Sequence, residues 1–178
     1  MPLVDLIEPA ATGRSKCRSC QQKIDKGALR FGERVPNPFG DGEGETTYWF
    51  HLICAADERP EKLAALLAGH AAELPERALI EQTIAWSLAS PKLSQAKWAE
   101  RAPTGRARCQ ECREPIEKDA LRVAEQREAE VMVMATTSYV HAGCAKRRYG
   151  AAGLVEKLRR TSKKLAAVEL EELERALL

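Results

Sequence analysis

Residues 8–30, EPAATGRSKCRSCQQKIDKGALR, return at residues 100–122 as ERAPTGRARCQECREPIEKDALR. Twelve of these 23 positions are identical at a constant offset of 92. They include Glu8/Glu100, the Thr-Gly-Arg runs ending at Arg14 and Arg106, Cys17/Cys109, Cys20/Cys112, Lys26/Lys118 and Arg30/Arg122. Downstream, His51/His141 and Cys54/Cys144 recur at an offset of 90. A self-match of this length marks a tandem duplication. Ser90–Pro91 breaks the helical pattern between the copies, so the expected organisation is two modules, 1–90 and 91–178.

Each copy carries a metal-ligand pattern. The first has C-x2-C at Cys17 and Cys20, thirty intervening residues, then H-x2-C at His51 and Cys54. The second has Cys109 and Cys112, twenty-eight residues, then His141 and Cys144. All six cysteines of the chain are used. Three thiolates and an imidazole suit tetrahedral zinc, and four protein ligands leave no position for a reactive water, so each ion is expected to be structural. Three disulfides in a secreted protein are the competing reading of six cysteines. The close C-x2-C pairs and the lack of a basic-then-apolar leader favour metal. Two zinc ions per chain are expected, each contributing on the order of 10 kcal/mol or more to folding.

The 178 residues allow two small domains of a size at which apolar cores alone are marginal. With 28 basic and 26 acidic residues the net charge is +2. A nucleic-acid surface would therefore need cations gathered on one face. No apolar run reaches membrane-spanning length, and the chain reads as soluble and cytoplasmic: nucleoid-associated in a prokaryote, nuclear in a eukaryote.

The expected fold class is α+β, each module a short antiparallel sheet around a Cys3His site followed by helices. Strands are predicted at 28–33, 46–50, 120–125 and 133–140. Helices are predicted at 60–69, 75–88, 151–164 and 166–177, the last with a stripe of Leu165, Val168, Leu170, Leu173 and Leu177. A short helix carrying Trp98 is expected to lead into the second finger. Trp49 and Tyr139 are expected in the core.

The two segments, continued by YWFHLIC and SYVHAGC, resemble the poly(ADP-ribose) polymerase-type zinc finger, also found in DNA ligase III. The shared pattern is an acidic residue and alanine, a Ser/Thr-Gly-Arg turn, C-x2-C, Ile-x-Lys, Leu-Arg, a variable loop, and an aromatic before H-x2-C. It covers about 45 residues of each half and does not clearly extend to the following helices. The resemblance implies binding to DNA nicks, gaps and ends by shape and not by sequence. Nothing in the sequence resembles an ADP-ribosyltransferase domain, so a break-binding unit and not an enzyme is expected, with a repair enzyme acting in trans as a possible partner and no membrane.

Candidate DNA contacts follow. Arg14 and Arg106 stand in the Thr-Gly-Arg turns, where the resemblance implies a phosphate contact; Lys16 and Arg108 lie beside them. Arg30 and Arg122 match a second DNA-contacting arginine of the family. For stacking on an exposed base, the first module offers Phe39 in PNPFGDGEG, where a phenylalanine folded back into a small core is the competing reading. The second offers Val131 and Met132, where a strand with alternating faces is the competing reading. The basic run 157–164 reads as a solvated helix face or as further phosphate contacts. A zinc-scaffolded protein–protein adaptor is the alternative function. A sequence-specific regulator ranks behind it, because no helix carries base-reading Arg, Asn or Gln in an evident pattern.

Overall fold

The computed structural model describes residues 4–37, 44–70, 73–126 and 136–177. The chain divides into two compact units, Met1–Ala89 and Ser90–Leu178. In the first, β1 (Leu6–Pro9), β2 (Leu29–Pro36) and β3 (Glu45–His51) form an antiparallel sheet in the order β1-β2-β3. Helices α1 (Leu52–Glu58), α2 (Pro60–Gly69) and α3 (Arg77–Ala89) follow. The second opens with a 3-10 turn at Pro91–Gln95. Its sheet is β4 (Ala96–Arg101), β5 (Leu121–Gln126) and β6 (Thr137–His141), again antiparallel and in chain order. Helices α4 (Ala142–Tyr149), α5 (Leu154–Thr161) and α6 (Ala167–Leu177) complete it. Each unit is thus an α+β module.

Alternation along the strands separates two faces. Ile7, Phe31 and Phe50 lie opposite one another across the first sheet; Phe31 and Phe50 are fully buried, their rings 6.0 Å apart. In the second sheet the corresponding rank is Ala99, Val123 and Val140, all fully buried. Leu52, Ala55, Leu63, Leu67, Ile80 and Ile84 close the first core from the helices. The second uses Ala145, Tyr149, Leu154, Leu158, Leu173 and Leu177. On the other face, Glu8–Arg30–His51 and Glu100–Arg122–His141 form matching cross-strand ranks. These carry the site chemistry.

Four local expectations need correction. Trp98 lies in strand β4 and not in a helix, because Ala96, Ala99 and Ala102 bury one edge of the segment against β5, with a bulge between Ala96 and Trp98. Helices α1 and α4 begin directly after each histidine, where the sequence reading placed no helix. Within 151–164 only Leu154–Thr161 is helical, since Gly150 and Gly153 hold positive φ of 85° and 76°. Of the α6 stripe, Leu173 and Leu177 are buried while Val168 is 65% exposed.

Each unit also buries a carboxylate that ties sheet to helix. Glu33 on β2 accepts from Arg59 Nε at 2.9 Å and Lys62 Nζ at 2.7 Å. Glu125 on β5, 1% exposed, accepts from Arg148 Nη2 and the Tyr149 hydroxyl, both at 2.8 Å. Burial works against the Glu33 carboxylate, but the Lys62 and Arg59 cations hold it below its usual range. Burial and the Glu125 carboxylate push the Tyr149 phenol up.

Removing one partner of a buried pair strands the other charge. Glu125→Gln is therefore expected to destabilise the second unit by about 3 kcal/mol in denaturant unfolding. Because the folded value of Glu33 lies below its unfolded value, its contribution is complete above about pH 4.3 and is lost as pH falls through the folded value. Glu33→Gln should flatten that part of the stability–pH curve.

Candidate metal centres and nucleic-acid interface

The first two ligands of each site come from a tight hairpin. In the first unit Ile24 N donates to Ser15 O at 2.9 Å, Cys17 N to Gln22 O at 2.7 Å and Gln21 N to Cys17 O at 2.9 Å. Gln21 takes a left-handed φ of 60°. The second unit repeats this with Ile116 N to Ala107 O, Cys109 N to Glu114 O and Arg113 N to Cys109 O, Arg113 at φ 68°. Each hairpin is pinned to the last strand of its sheet, by Arg18 N to Trp49 O at 2.8 Å and by Gln110 N to Tyr139 O at 2.9 Å. That strand ends at His51 or His141, each the N-cap of the next helix, and Cys54 or Cys144 falls in the helix's first turn. Hairpin, strand end and helix start thus converge on one point.

The donor sets fit zinc. In Cys17, Cys20, His51, Cys54 and in Cys109, Cys112, His141, Cys144 the ligand atoms all lie within 4.8 Å of one another. Tetrahedral zinc places such atoms roughly 3.5–3.8 Å apart. Nδ1 of His51 faces Cys20 Sγ at 3.4 Å, and Nδ1 of His141 faces Cys112 Sγ at 3.3 Å. The opposite nitrogens, Nε2, face Lys23 O at 3.3 Å and Pro115 O at 3.0 Å. A hydrogen on Nε2 donated to that carbonyl leaves the Nδ1 lone pair for the metal. Backbone N–H groups of His51 and His141 approach Cys17 and Cys109 Sγ at 3.5 and 3.3 Å, offsetting thiolate charge.

Thiols this close call for a cation. Contacts with Cys17 and Cys54 hold the Cys20 thiol far below its usual value, whereas contacts with Cys17 and Cys20 push Cys54 far above. Contacts with Cys17 and Cys20 push the His51 imidazole up to about 10. A divalent ion would let all three sulfurs ionise together. The second site is the more open one: Cys54 is buried, Cys144 only half-buried, and Arg147 Nη2 reaches Cys144 Sγ at 3.6 Å.

The sequence-predicted DNA contacts separate into three groups. Arg14, Lys16, Arg106 and Arg108 are exposed, on the Thr-Gly-Arg turns and hairpins. Gly13 and Gly105 sit in these turns with their missing Cβ 3.7 Å from the backbone nitrogens of Lys26 and Lys118. Phe39, Val131 and Met132 lie outside the described residues. Arg30 and Arg122, expected from the sequence as phosphate contacts, are buried beneath the hairpins and already partnered. Arg30 is 8% exposed, 3.4 Å over the Trp49 ring, and donates to Glu8 Oε1 at 2.6 Å and Ser15 Oγ at 2.9 Å. Arg122, 4% exposed, lies 3.4 Å over Tyr139 and donates to Glu100 Oε1. Each guanidinium is thus shared between a carboxylate and a ring face, with further N–H donors uncommitted among the described residues. Trp49 and Tyr139, expected in the core, are half-buried and serve as the stacking face.

Sequence reasoning missed Arg18, an exposed cation 3.8 Å over the Tyr48 ring, together with Lys23 and Lys26. The density of cations across one hairpin was the available signal. In the basic run 157–164, Lys157 is buried and donates to Leu93 O, Arg159 pairs with Glu174, and Lys163 and Lys164 are exposed. Among the described residues no helix is long and apolar enough to cross a membrane.

Residues 8–80 match the family model described as "Poly(ADP-ribose) polymerase and DNA-Ligase Zn-finger region". The match runs past the zinc ligands through α2 and into α3, further than the sequence reading extended it. Curated relatives include poly [ADP-ribose] polymerase 1 of Gallus gallus, 35% identical over 54 residues, covering 30% of this chain and 5% of the relative. The corresponding protein of Caenorhabditis elegans is 40% identical over 53 residues, again 30% and 5%. Poly [ADP-ribose] polymerase of Drosophila melanogaster is 27% identical over 132 residues, covering 66% of this chain and 13% of the relative. The chain thus spans only a small part of the length of these relatives. The second Cys3His set gives the family's finger a tandem partner.

Metal analysis of the reduced protein should give two zinc ions per chain; one or none would contradict the assignment. Chelation should cost each unit on the order of 10 kcal/mol and unfold it. Arg30→Lys keeps the charge but loses the flat stacked fork over Trp49. It should lower the first unit's stability by about 1–2 kcal/mol, measured by thermal unfolding of the zinc-loaded protein.

Proposed function

We propose that this chain, whose first unit is a zinc finger of the poly(ADP-ribose) polymerase and DNA-ligase family, binds DNA at strand breaks by shape and not by sequence. The observation that carries this reading is the set of exposed cations on the zinc hairpin and the adjoining Thr-Gly-Arg turn: Arg14, Lys16, Arg18, Lys23 and Lys26 in the first unit. The side chains of Arg14, Lys16, Lys23 and Lys26 make no hydrogen bond or ion pair with the described residues. Zinc fixes the hairpin that carries them, so little ordering entropy remains to oppose phosphate binding.

A nick or end differs from intact duplex in two ways that such a surface can use. Its backbone kinks at lower cost, and it exposes an unstacked base face. Cations meet phosphates on any DNA; selectivity for breaks needs an apolar side chain over the exposed base. Phe39, and in the second unit Val131 and Met132, are the proposed covers. Arg30 and Arg122 act as positioning residues that hold the last strand against the hairpin. Two tethered units make the second contact intramolecular. Both metal sites use four protein ligands, so the reading is a binding module and not a hydrolytic centre. It would act where DNA is, nucleoid or nucleus, delivering a repair enzyme in trans. The adaptor reading keeps support from the second unit, whose hairpin is balanced in charge.

Titration of the zinc-loaded protein against intact, nicked and gapped duplexes of one sequence should show tighter binding to the broken forms, weakening steeply with salt. Equal affinity for intact and nicked duplex would favour the adaptor. Arg14→Ala should weaken binding to all DNAs and reduce the salt slope by about 1. Phe39→Ala should cost about 1–3 kcal/mol on broken DNA and little on intact duplex. An unchanged nicked-to-intact ratio would sink the stacking role.

A further inference from the structure

The duplicated hairpins hold the same ligands but not the same charge. Aligned at the offset of 92, Arg18 corresponds to Gln110, Ser19 to Glu111, Gln22 to Glu114, Lys23 to Pro115 and Gly27 to Asp119. Residues 14–27 carry five cations against one carboxylate, net +4; residues 106–119 carry four against four, net zero. The difference lies on the surface. Lys16 and Lys23 are bridge partners across the first hairpin and so share a face, and the Gly13–Arg14 turn packs beside Lys26. In the second hairpin the same bridge joins Arg108 to Pro115.

The cations also differ in what holds them. Arg18 lies 3.8 Å over the Tyr48 ring with no carboxylate partner among the described residues. Its counterpart is uncharged Gln110, and Ser138 stands where Tyr48 does. In the second hairpin Arg108 donates to Arg113 O, Arg113 to Gln110 Oε1, and Glu111 pairs with Arg147. Exposed Glu114, Glu117 and Asp119 stand among these cations and repel a phosphate.

We propose that the two units are unequal: the first hairpin is the main docking surface for the DNA backbone, and the second makes few phosphate contacts. This rests on the strand-break reading and adds a division of labour to it. Each phosphate neutralised releases counterions and adds close to one to the salt slope, so the asymmetry is measurable as a slope and not only as an affinity.

The test uses the full zinc-loaded chain and a nicked duplex titrated over salt. One double variant removes two charges from the first hairpin, Arg18→Gln with Lys23→Gln. A second double variant removes two from the second hairpin, Arg108→Gln with Lys118→Gln, since the positions of Arg18 and Lys23 hold no cation there. The first pair should lose about tenfold in affinity and about 2 in slope, and the second less than about threefold with an unchanged slope. A third variant, Gln110→Arg with Glu114→Gln, installs the first unit's residues in the second and should tighten binding and steepen the slope. Zinc content and unfolding midpoint, measured on each variant, separate charge loss from misfolding. Equal losses from the two pairs, or the greater loss from the second, overturn the inference while leaving strand-break binding intact. A wild-type chain that binds no DNA overturns both.

Discussion

Four ligand atoms drawn from three pieces of backbone must meet around one divalent ion, and each unit is arranged to satisfy that demand. The hairpin at Ser15–Ile24 can hold Cys17 and Cys20 only because Gln21 adopts a left-handed φ. It reaches His51 only because Arg18 N is tied to the last residue but two of β3. Cys54 completes the set because a helix starts at once after His51, so H-x2-C spans one helical turn. Three thiolates and an imidazole gathered within 4.8 Å of one another need a cation to ionise together. With it, a sheet of three short strands and a few helices gains what its apolar core alone would not supply.

The second constraint follows from the first. The strand that carries the histidine ligand is also held against its neighbours by polar residues on the zinc face, beside the buried Ile24 and Ile116 of the hairpins. The Glu8–Arg30–His51 rank does this, with Arg30 clamped between carboxylate and Trp49 ring. In the second unit Glu100, Arg122 and Tyr139 make the same clamp. A buried charge contributes net stability only when well paired; both arginines have a carboxylate and a π face, and Arg122 also bonds Glu100 through Nε, whereas Nε of Arg30 has no partner among the described residues. Glu33 and Glu125 do the corresponding job on the sheet-to-helix side, using Arg59 and Lys62 in one case and Arg148 and Tyr149 in the other.

What was legible in the sequence was what depends on residue identity at fixed spacing. The eight zinc ligands, the duplication and the inner strands could all be read from spacing or alternation. What depends on pairing across the sheet was not. Arg30 and Arg122 look like surface cations until the register sets Glu8 and Glu100 opposite them. Trp98 looked helical because β4 is short, bulged and lined on its buried side only by alanines, so it shows no strong alternation. Helices α1 and α4 were hidden by the metal motif, whose Cys and His dominate the reading of their first turns. Val168 belongs to a helical stripe whose buried part lies further along, at Leu173 and Leu177, so spacing alone overstated the core.

Duplication explains why the two hairpins can share a geometry and differ in charge. The contacts common to both hairpins are backbone hydrogen bonds and metal ligands: Cys17 N to Gln22 O in one, Cys109 N to Glu114 O in the other. The shared backbone bonds do not depend on the side chains at positions 18, 22 and 23, or 110, 114 and 115. Glutamine at 22 and glutamate at 114 accept the same backbone bond with different charge. The zinc scaffold therefore fixes the shape of the hairpin and leaves its charge free to vary. Shape comes from the ion, while affinity for a polyanion comes from residues the ion does not constrain.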